Sequence, residues 1–108
     1  MMKPKSEIDP VLSDIRQQIN DAFGENALQI ILFGSWSRGD EEIDSDYDIL
    51  LLVRKRTEEL EDRVDNIAYQ MLDRYGVMVS IFVVEIGLFE RDKYEPLFCS
   101  VRREGVVC

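Results

Sequence analysis

The chain has 108 residues, 45% hydrophobic and 32% charged, which is the balance of a single folded domain rather than a disordered tail. Its formal net charge of −9 argues against general binding to DNA or RNA, because an acidic surface repels phosphate backbones. The absence of histidine excludes histidine-based catalysis, and Cys99 and Cys108 form no metal-binding pattern. With neither a membrane span nor a signal peptide in view, we expect one cytoplasmic domain over residues 1–108.

The first half of the chain predicts two helices and two strands. Apolar residues recur at helical spacing from Glu7 to Phe23, and Asp9-Pro10 is a typical cap followed by a first-turn proline. Ala27 to Phe33 and Tyr47 to Val53 are short apolar runs typical of buried strands. A short helix is expected at Trp36 to Asp40.

The second half predicts three further helices and two further strands. In order, these are a helix from a Thr57 cap to Tyr75-Gly76, a strand at Val77 to Val84, short helices at Leu88 to Lys93 and Leu97 to Glu104 separated by Pro96, and an edge strand at Val106 to Cys108. The alternation of helices and strands predicts an α+β fold, with a small mixed sheet and helices packed on one side.

Carboxylates are concentrated before and within the second predicted strand. Six of the nine residues from 40 to 48 are acidic, namely Asp40, Glu41, Glu42, Asp44, Asp46 and Asp48. The period of two in a strand sends Asp46 and Asp48 to one face and Tyr47 to the other, so two oxygen ligands suited to Mg2+ converge. A calcium-binding EF-hand loop is rejected, because Ile49 replaces its glycine and Lys55 its bidentate glutamate.

The turn after the first strand is typical of an anion site. Gly34-Ser35 follows a strand and precedes the expected short helix, where exposed N–H groups and the helix dipole favour phosphate. The pattern argues against a Walker-type loop, because the segment from Gly34 to Asp40 lacks the required lysine.

The combined pattern Gly34-Ser35-x2-Arg38-Gly39-x5-Ser45-Asp46-x-Asp48 resembles the polymerase-beta-like nucleotidyltransferase superfamily, and most of all its minimal nucleotidyltransferases. The resemblance implies the fold of that superfamily and transfer of a nucleotidyl group from ATP. It assigns the triphosphate to Gly34 and Ser35, with Arg38 as a further nucleotide-binding candidate. Asp46 and Asp48 become the catalytic, metal-binding pair for two Mg2+ ions.

The chain departs from the family at a third carboxylate, which active members usually carry on a later strand. The best counterpart here is Ser80, which neither ligates a metal strongly nor acts as a base. Glu85 and Asp44 are weaker substitutes. The departure leaves open whether turnover survives.

Several small relatives are encoded beside a HEPN-type protein and act as antitoxins that transfer AMP to a tyrosine of this toxin. The resemblance therefore implies a HEPN-type protein partner and a role in a toxin–antitoxin pair. Two alternatives remain: an inactive nucleotide-binding antitoxin, and the nucleotide-binding subunit of a two-chain small-molecule nucleotidyltransferase. Homo-oligomerisation also stays open.

Several of these residues also have plain structural interpretations. The aspartate pair could be a solvated turn, Ser35 could cap a helix, and Arg38 could pair with nearby acids. Trp36 is more typical of packing than of base stacking. The basic run 54–56 is expected about 23 Å from Asp48 along the strand, too far for a phosphate role.

Overall fold

The computed structural model describes residues 9–34 and 47–108 of the chain. Its helices are α1 (Pro10–Phe23), α2 (Glu58–Tyr75), α3 (Ile86–Arg91) and α4 (Pro96–Glu104), and its strands are β1 (Ala27–Phe33), β2 (Tyr47–Val53), β3 (Val79–Glu85) and β4 (Val106–Val107). A 3-10 turn, Gly24–Asn26, joins α1 to β1. The short helix predicted at residues 36–40 lies outside the described residues.

The four strands form one mixed sheet in the order β3-β2-β1-β4. β1 pairs antiparallel with β2 and with β4, whereas β2 and β3 run parallel. The parallel pair requires a crossover, and α2 supplies it between the end of β2 and the start of β3. β2 is consequently an inner strand whose start lies beside the end of β1 and the start of β3.

Side chains of β2 alternate between two apolar clusters, as the period of two requires. Tyr47, Ile49, Leu51 and Val53 enter the larger cluster with the buried faces of α1 and α2. Leu50 and Leu52 enter a smaller cluster with residues of α3 and α4. The predicted mixed sheet is confirmed, and the two long helices share one side as expected; the two short helices lie on the opposite face.

The predicted helix caps are present. Asp9 Oδ1 accepts hydrogen bonds from the backbone N–H groups of Val11 (2.9 Å) and Leu12 (3.4 Å), and Thr57 Oγ1 accepts one from Leu60 N–H. Gly76 ends α2 in the left-handed region, at φ 67°. Pro96, predicted to separate two short helices, instead occupies the first turn of α4, where its missing N–H costs nothing.

No helix in the described segments 9–34 and 47–108 is long and apolar enough to cross a membrane.

Candidate functional site

Asp48 is the second residue of β2 and lies between the two neighbouring strands. Its Cα partner on β1 is Phe33, and its Cα partner on β3 is Ser80. The residue is half-buried. The end of β1 and the starts of β2 and β3 therefore meet around this carboxylate, which we predicted from the sequence to be a metal ligand.

The two faces of β2 separate Asp48 from Tyr47, as predicted. Tyr47 belongs to the larger cluster. Asp48 alternates with Ile49 and Leu51 along β2 and therefore lies on the same face as Leu50 and Leu52, which enter the smaller cluster. Phe33 and Phe82 lie on the same face as Asp48, with ring centroids 6.0 Å apart. Asp48 thus stands on the face of the sheet that carries the short helices, beside an aromatic pair.

Gly34 directly follows β1 and approaches the side chain of Asp48. Its φ is 80°, a left-handed conformation that favours glycine, and a Cβ atom at this position would lie 2.8 Å from Asp48 Oδ2. Residues other than glycine would be strained there and would also displace the carboxylate. The glycine thus leaves room for the Asp48 carboxylate beside the backbone at the end of β1.

Ser80 is exposed and directly adjacent to Asp48 across the parallel strand pair. It places a hydroxyl beside the carboxylate, on the strand where the resemblance to the superfamily led us to seek a third acid. Glu85 does not replace it, because β3 continues to Glu85, which pairs with Val53 at the other end of β2. Five residues of strand separate Glu85 from Ser80, about 17 Å. Asp44, the other weak substitute, lies outside the described residues.

Tyr47 anchors the start of β2, a role that the sequence did not reveal. Its hydroxyl donates a 2.8 Å hydrogen bond to Asp9 Oδ2, and its backbone N–H donates to the Met78 carbonyl oxygen at 3.0 Å. The side chain is 3% exposed. The carboxylate that caps α1 is therefore tied to the residue next to Asp48. In the sequence, the position of Tyr47 between Asp46 and Asp48 is the feature that could have drawn attention to this anchoring role.

The basic run at 54–56 lies at the far end of the sheet, as expected. Arg54 Nε donates to the Glu25 carbonyl oxygen at 3.2 Å, and Lys55 exchanges hydrogen bonds with the Asn26 side chain. Arg56 forms an ion pair with Glu61. These contacts fix the end of β2 against the 3-10 turn before β1 and against the first turns of α2.

Three of the proposed site residues, Ser35, Arg38 and Asp46, fall outside the described segments, and so do Trp36, Asp44 and the motif residues Gly39 and Ser45. The structure accordingly brings together Gly34 and Asp48 of the proposed site. Among the side chains that are described, no three Asp, Glu, Cys or His residues gather as a metal-binding group. Asp48 is the one member of the proposed metal pair that lies within the described part of the chain.

The family model for the nucleotidyltransferase domain matches residues 12–106. The chain belongs to this family. The match begins in α1 and ends in β4, so it includes the Gly34 turn and both aspartates. The predicted resemblance to minimal nucleotidyltransferases is confirmed at this level.

One similar curated protein is "Putative protein adenylyltransferase MJ1305" of Methanocaldococcus jannaschii, which is 29% identical over 97 residues. The alignment covers 87% of this nucleotidyltransferase domain and 66% of the relative. The chain therefore spans slightly less than two thirds of that protein's length.

Two similar solved structures are toxin–antitoxin crystal structures. One contains AMP-PNP and has a TM-score of 0.64, with 20% identity and coverage of 88% of this chain and 69% of the other. The second is a variant of the MntA–HpeT pair, with a TM-score of 0.60, 18% identity and coverage of 86% and 68%. These likenesses confirm the polymerase-beta-like nucleotidyltransferase fold.

Proposed function

We propose that this nucleotidyltransferase domain transfers AMP from ATP to a hydroxyl group of a protein partner, in a reaction that depends on Mg2+. The observation that carries the proposal is the contact geometry at Asp48. A glycine backbone in the left-handed region lies against the carboxylate, and this glycine opens the turn that the sequence assigns to the triphosphate.

The residues around the turn fit a magnesium nucleotide. Asp46 and Asp48 would supply the hard oxygen ligands that Mg2+ prefers. Backbone N–H groups of Gly34 and Ser35, with the Ser35 hydroxyl, would bind phosphate oxygens, and Arg38 would add positive charge. When bound, Mg2+ neutralises the triphosphate and lowers the pKa of the attacking hydroxyl.

The transfer itself is an in-line displacement. The acceptor oxygen attacks the α-phosphorus of ATP and forms a new P–O bond, while the bond from the α-phosphorus to the bridging oxygen breaks and pyrophosphate leaves. The acceptor proton leaves to a carboxylate of the site or to solvent, since the chain contains no histidine and Ser80 is a poor base. The protein's task is mainly positioning, which the tightly fixed start of β2 serves.

A HEPN-type toxin is the partner that we propose, with this chain as the antitoxin and a tyrosine hydroxyl as the acceptor. The similar toxin–antitoxin folds and the adenylyltransferase name of the archaeal relative support it. The net charge of −9 suits a basic or neutral protein better than a nucleic acid. We further propose that residues 1–108 act as one domain in the cytoplasm, where ATP is available.

A second candidate is an antitoxin that binds nucleotide and partner without turnover. Ser80 favours it, because a hydroxyl stands next to Asp48 on the strand where active relatives are expected to carry an acid. A neutral neighbour supplies less charge to hold a second Mg2+ ion. In this case the site is a nucleotide sensor rather than a catalyst.

The test uses ATP labelled at the α-phosphate, Mg2+, the purified chain and host lysate. Wild type is compared with Asp46→Asn and Asp48→Asn, and with Asp21→Asn, an exposed residue of α1, as a control. Label on a second protein with wild type and the control, but not with the site variants, supports transfer. Mg2+-dependent ATP binding without any labelled product supports the sensor.

A further inference from the structure

β3 is an edge strand in the part of the sheet that the structure describes, since its neighbour there is β2 alone. A seven-residue edge presents backbone N–H and C=O groups on one side, which is a template for an added strand. Phe82 on this strand is 41% exposed, and Leu88 just beyond it is 40% exposed. The edge is therefore apolar as well as open to pairing.

Two cavities, of about 410 Å³ and about 350 Å³, lie along β3. Both are lined by Val83 and Val84, whose side chains point to opposite faces of the sheet. Cavities lined by both faces follow the edge of the strand rather than either face. Arg56, which precedes α2, and Glu61 in the first turns of α2 border both cavities, while Leu88 of α3 and Leu97 of α4 border one each. We call this depression the β3 groove.

Acidic side chains dominate the rim of the β3 groove. Glu58, Glu61 and Glu85 line the larger cavity, and Glu61 and Glu95 line the smaller one. The single basic residue among the described lining residues is Arg56, whose guanidinium already pairs with Glu61 and whose backbone N–H donates to Glu85 Oε2 at 2.9 Å. The groove thus combines an apolar floor with a net negative rim.

We propose that the β3 groove binds an extended segment of a partner protein, with apolar and basic side chains in alternation, as an additional strand on β3. Backbone hydrogen bonds between the segment and the edge of β3 would supply affinity. Because side chains alternate along a strand, the apolar residues of the segment would contact the apolar floor and its lysine or arginine residues the acidic rim. A second copy of this chain is a poor occupant, because each copy carries a net charge of −9 and the same acidic rim.

The position of the groove relates it to the proposed reaction. Ile81 lines the smaller cavity and directly follows Ser80, the neighbour of Asp48. A segment added to β3 would run towards the candidate site, where residues beyond its paired part could present a hydroxyl. This delivery step rests on the proposed function; the docking itself needs no turnover, so the two can fail separately.

The experiment measures binding of fluorescein-labelled decapeptides by anisotropy in the absence of ATP. The probes are alternating valine–lysine, alternating valine–glutamate, and valine–lysine N-methylated at every second residue. We expect valine–lysine to bind, valine–glutamate not to bind, and N-methylation to weaken binding at least tenfold, since it blocks the ladder. Hydrogen exchange should slow within residues 81–85 when valine–lysine is bound.

Matched variants separate the groove from general charge attraction. Glu58→Lys and Phe82→Ser should each weaken valine–lysine binding several-fold, whereas Asp21→Lys, the same charge change on α1, should alter it less than twofold. Absent binding at millimolar peptide, equal affinity of the N-methylated peptide, or an equal effect of Asp21→Lys would overturn the proposal. So would dimerisation in sedimentation experiments that Phe82→Ser abolishes, since the occupant would then be a second copy.

Discussion

The backbone of Gly34 lies against the side chain of Asp48, so that a Cβ atom on residue 34 would stand 2.8 Å from Asp48 Oδ2. The two residues are 14 positions apart in sequence and meet because β1 and β2 are antiparallel, with Phe33 opposite Asp48. Gly34, the first residue of the proposed phosphate turn, and Asp48, a proposed metal ligand, are therefore parts of one local structure. A side chain added at residue 34 acts directly on the carboxylate.

Gly34→Ala should impair both stability and nucleotide binding. The left-handed conformation costs about 1–2 kcal/mol for a residue with a Cβ atom, and the new methyl group also pushes Asp48 aside. We expect a lower melting temperature and at least tenfold weaker Mg2+-dependent ATP binding, measured by calorimetry.

Gly76→Ala is the matched control for this prediction. Gly76 has a φ of 67°, and within the described segments a Cβ atom added there would meet no packed neighbour within 4 Å, so the variant carries the conformational cost without the clash. It should lose stability but keep ATP binding. Equal ATP affinities for the two variants would show that the close approach of Gly34 to Asp48 does not contribute to ATP binding.

Tyr47→Phe should loosen the start of β2. The substitution removes a buried hydroxyl that donates to the Asp9 carboxylate, and hydrogen bonds to charged groups contribute about 1.5–3 kcal/mol. Urea unfolding should show a loss of this size. Tyr75→Phe is the control, because Tyr75 also donates to an aspartate, Asp14, but is exposed, and its loss should be smaller. The idea fails if Tyr47→Phe is the milder change.

The carboxylate of Asp14 should make stability depend on pH in the acid range. A hydrogen bond from Gln18, together with those from Arg74 and Tyr75, lowers the pKa of Asp14 below 3.8. Because the pKa is lowered on folding, the stabilisation is complete above pH 3.8 and is lost as the pH falls through the folded-state value. NMR titration should show the Asp14 pKa rising in Gln18→Ala, and Asp14→Asn should flatten the acid limb of the stability curve.

The strands that the sequence located best are the buried ones. The predicted bounds of β1 and β2, Ala27–Phe33 and Tyr47–Val53, agree with the structure because each is a short apolar run bounded by turn or acidic residues. The bounds of α3 and α4 shifted, since no capping side chain marks the start of α3 at Ile86 and the prediction treated Pro96 as a break. Proline is compatible with the first turn of a helix, and α4 accordingly begins at Pro96 rather than after it.

The sequence proposes the residues of the candidate site but does not give the contacts of the described ones. Alternation along β2 follows from local geometry, so the opposite orientations of Tyr47 and Asp48 could be read from the sequence. The hydrogen bond from Tyr47 to Asp9 joins residues 38 positions apart and depends on where α1 packs. Likewise, the β3 groove depends on the strand order, which no local pattern encodes.

Ser80→Asp distinguishes a weak catalyst from a nucleotide sensor. The substitution places a carboxylate beside Asp48, where it can share Mg2+, and we expect at least a tenfold gain in label transferred from α-labelled ATP. Without Mg2+ the added like charge should lower the melting temperature, and Mg2+ with ATP should restore it. Ser80→Asn, similar in size but neutral, should do neither. A carboxylate that gains Mg2+ binding without any transfer would mean that the site lacks more than a third acid, which favours the sensor.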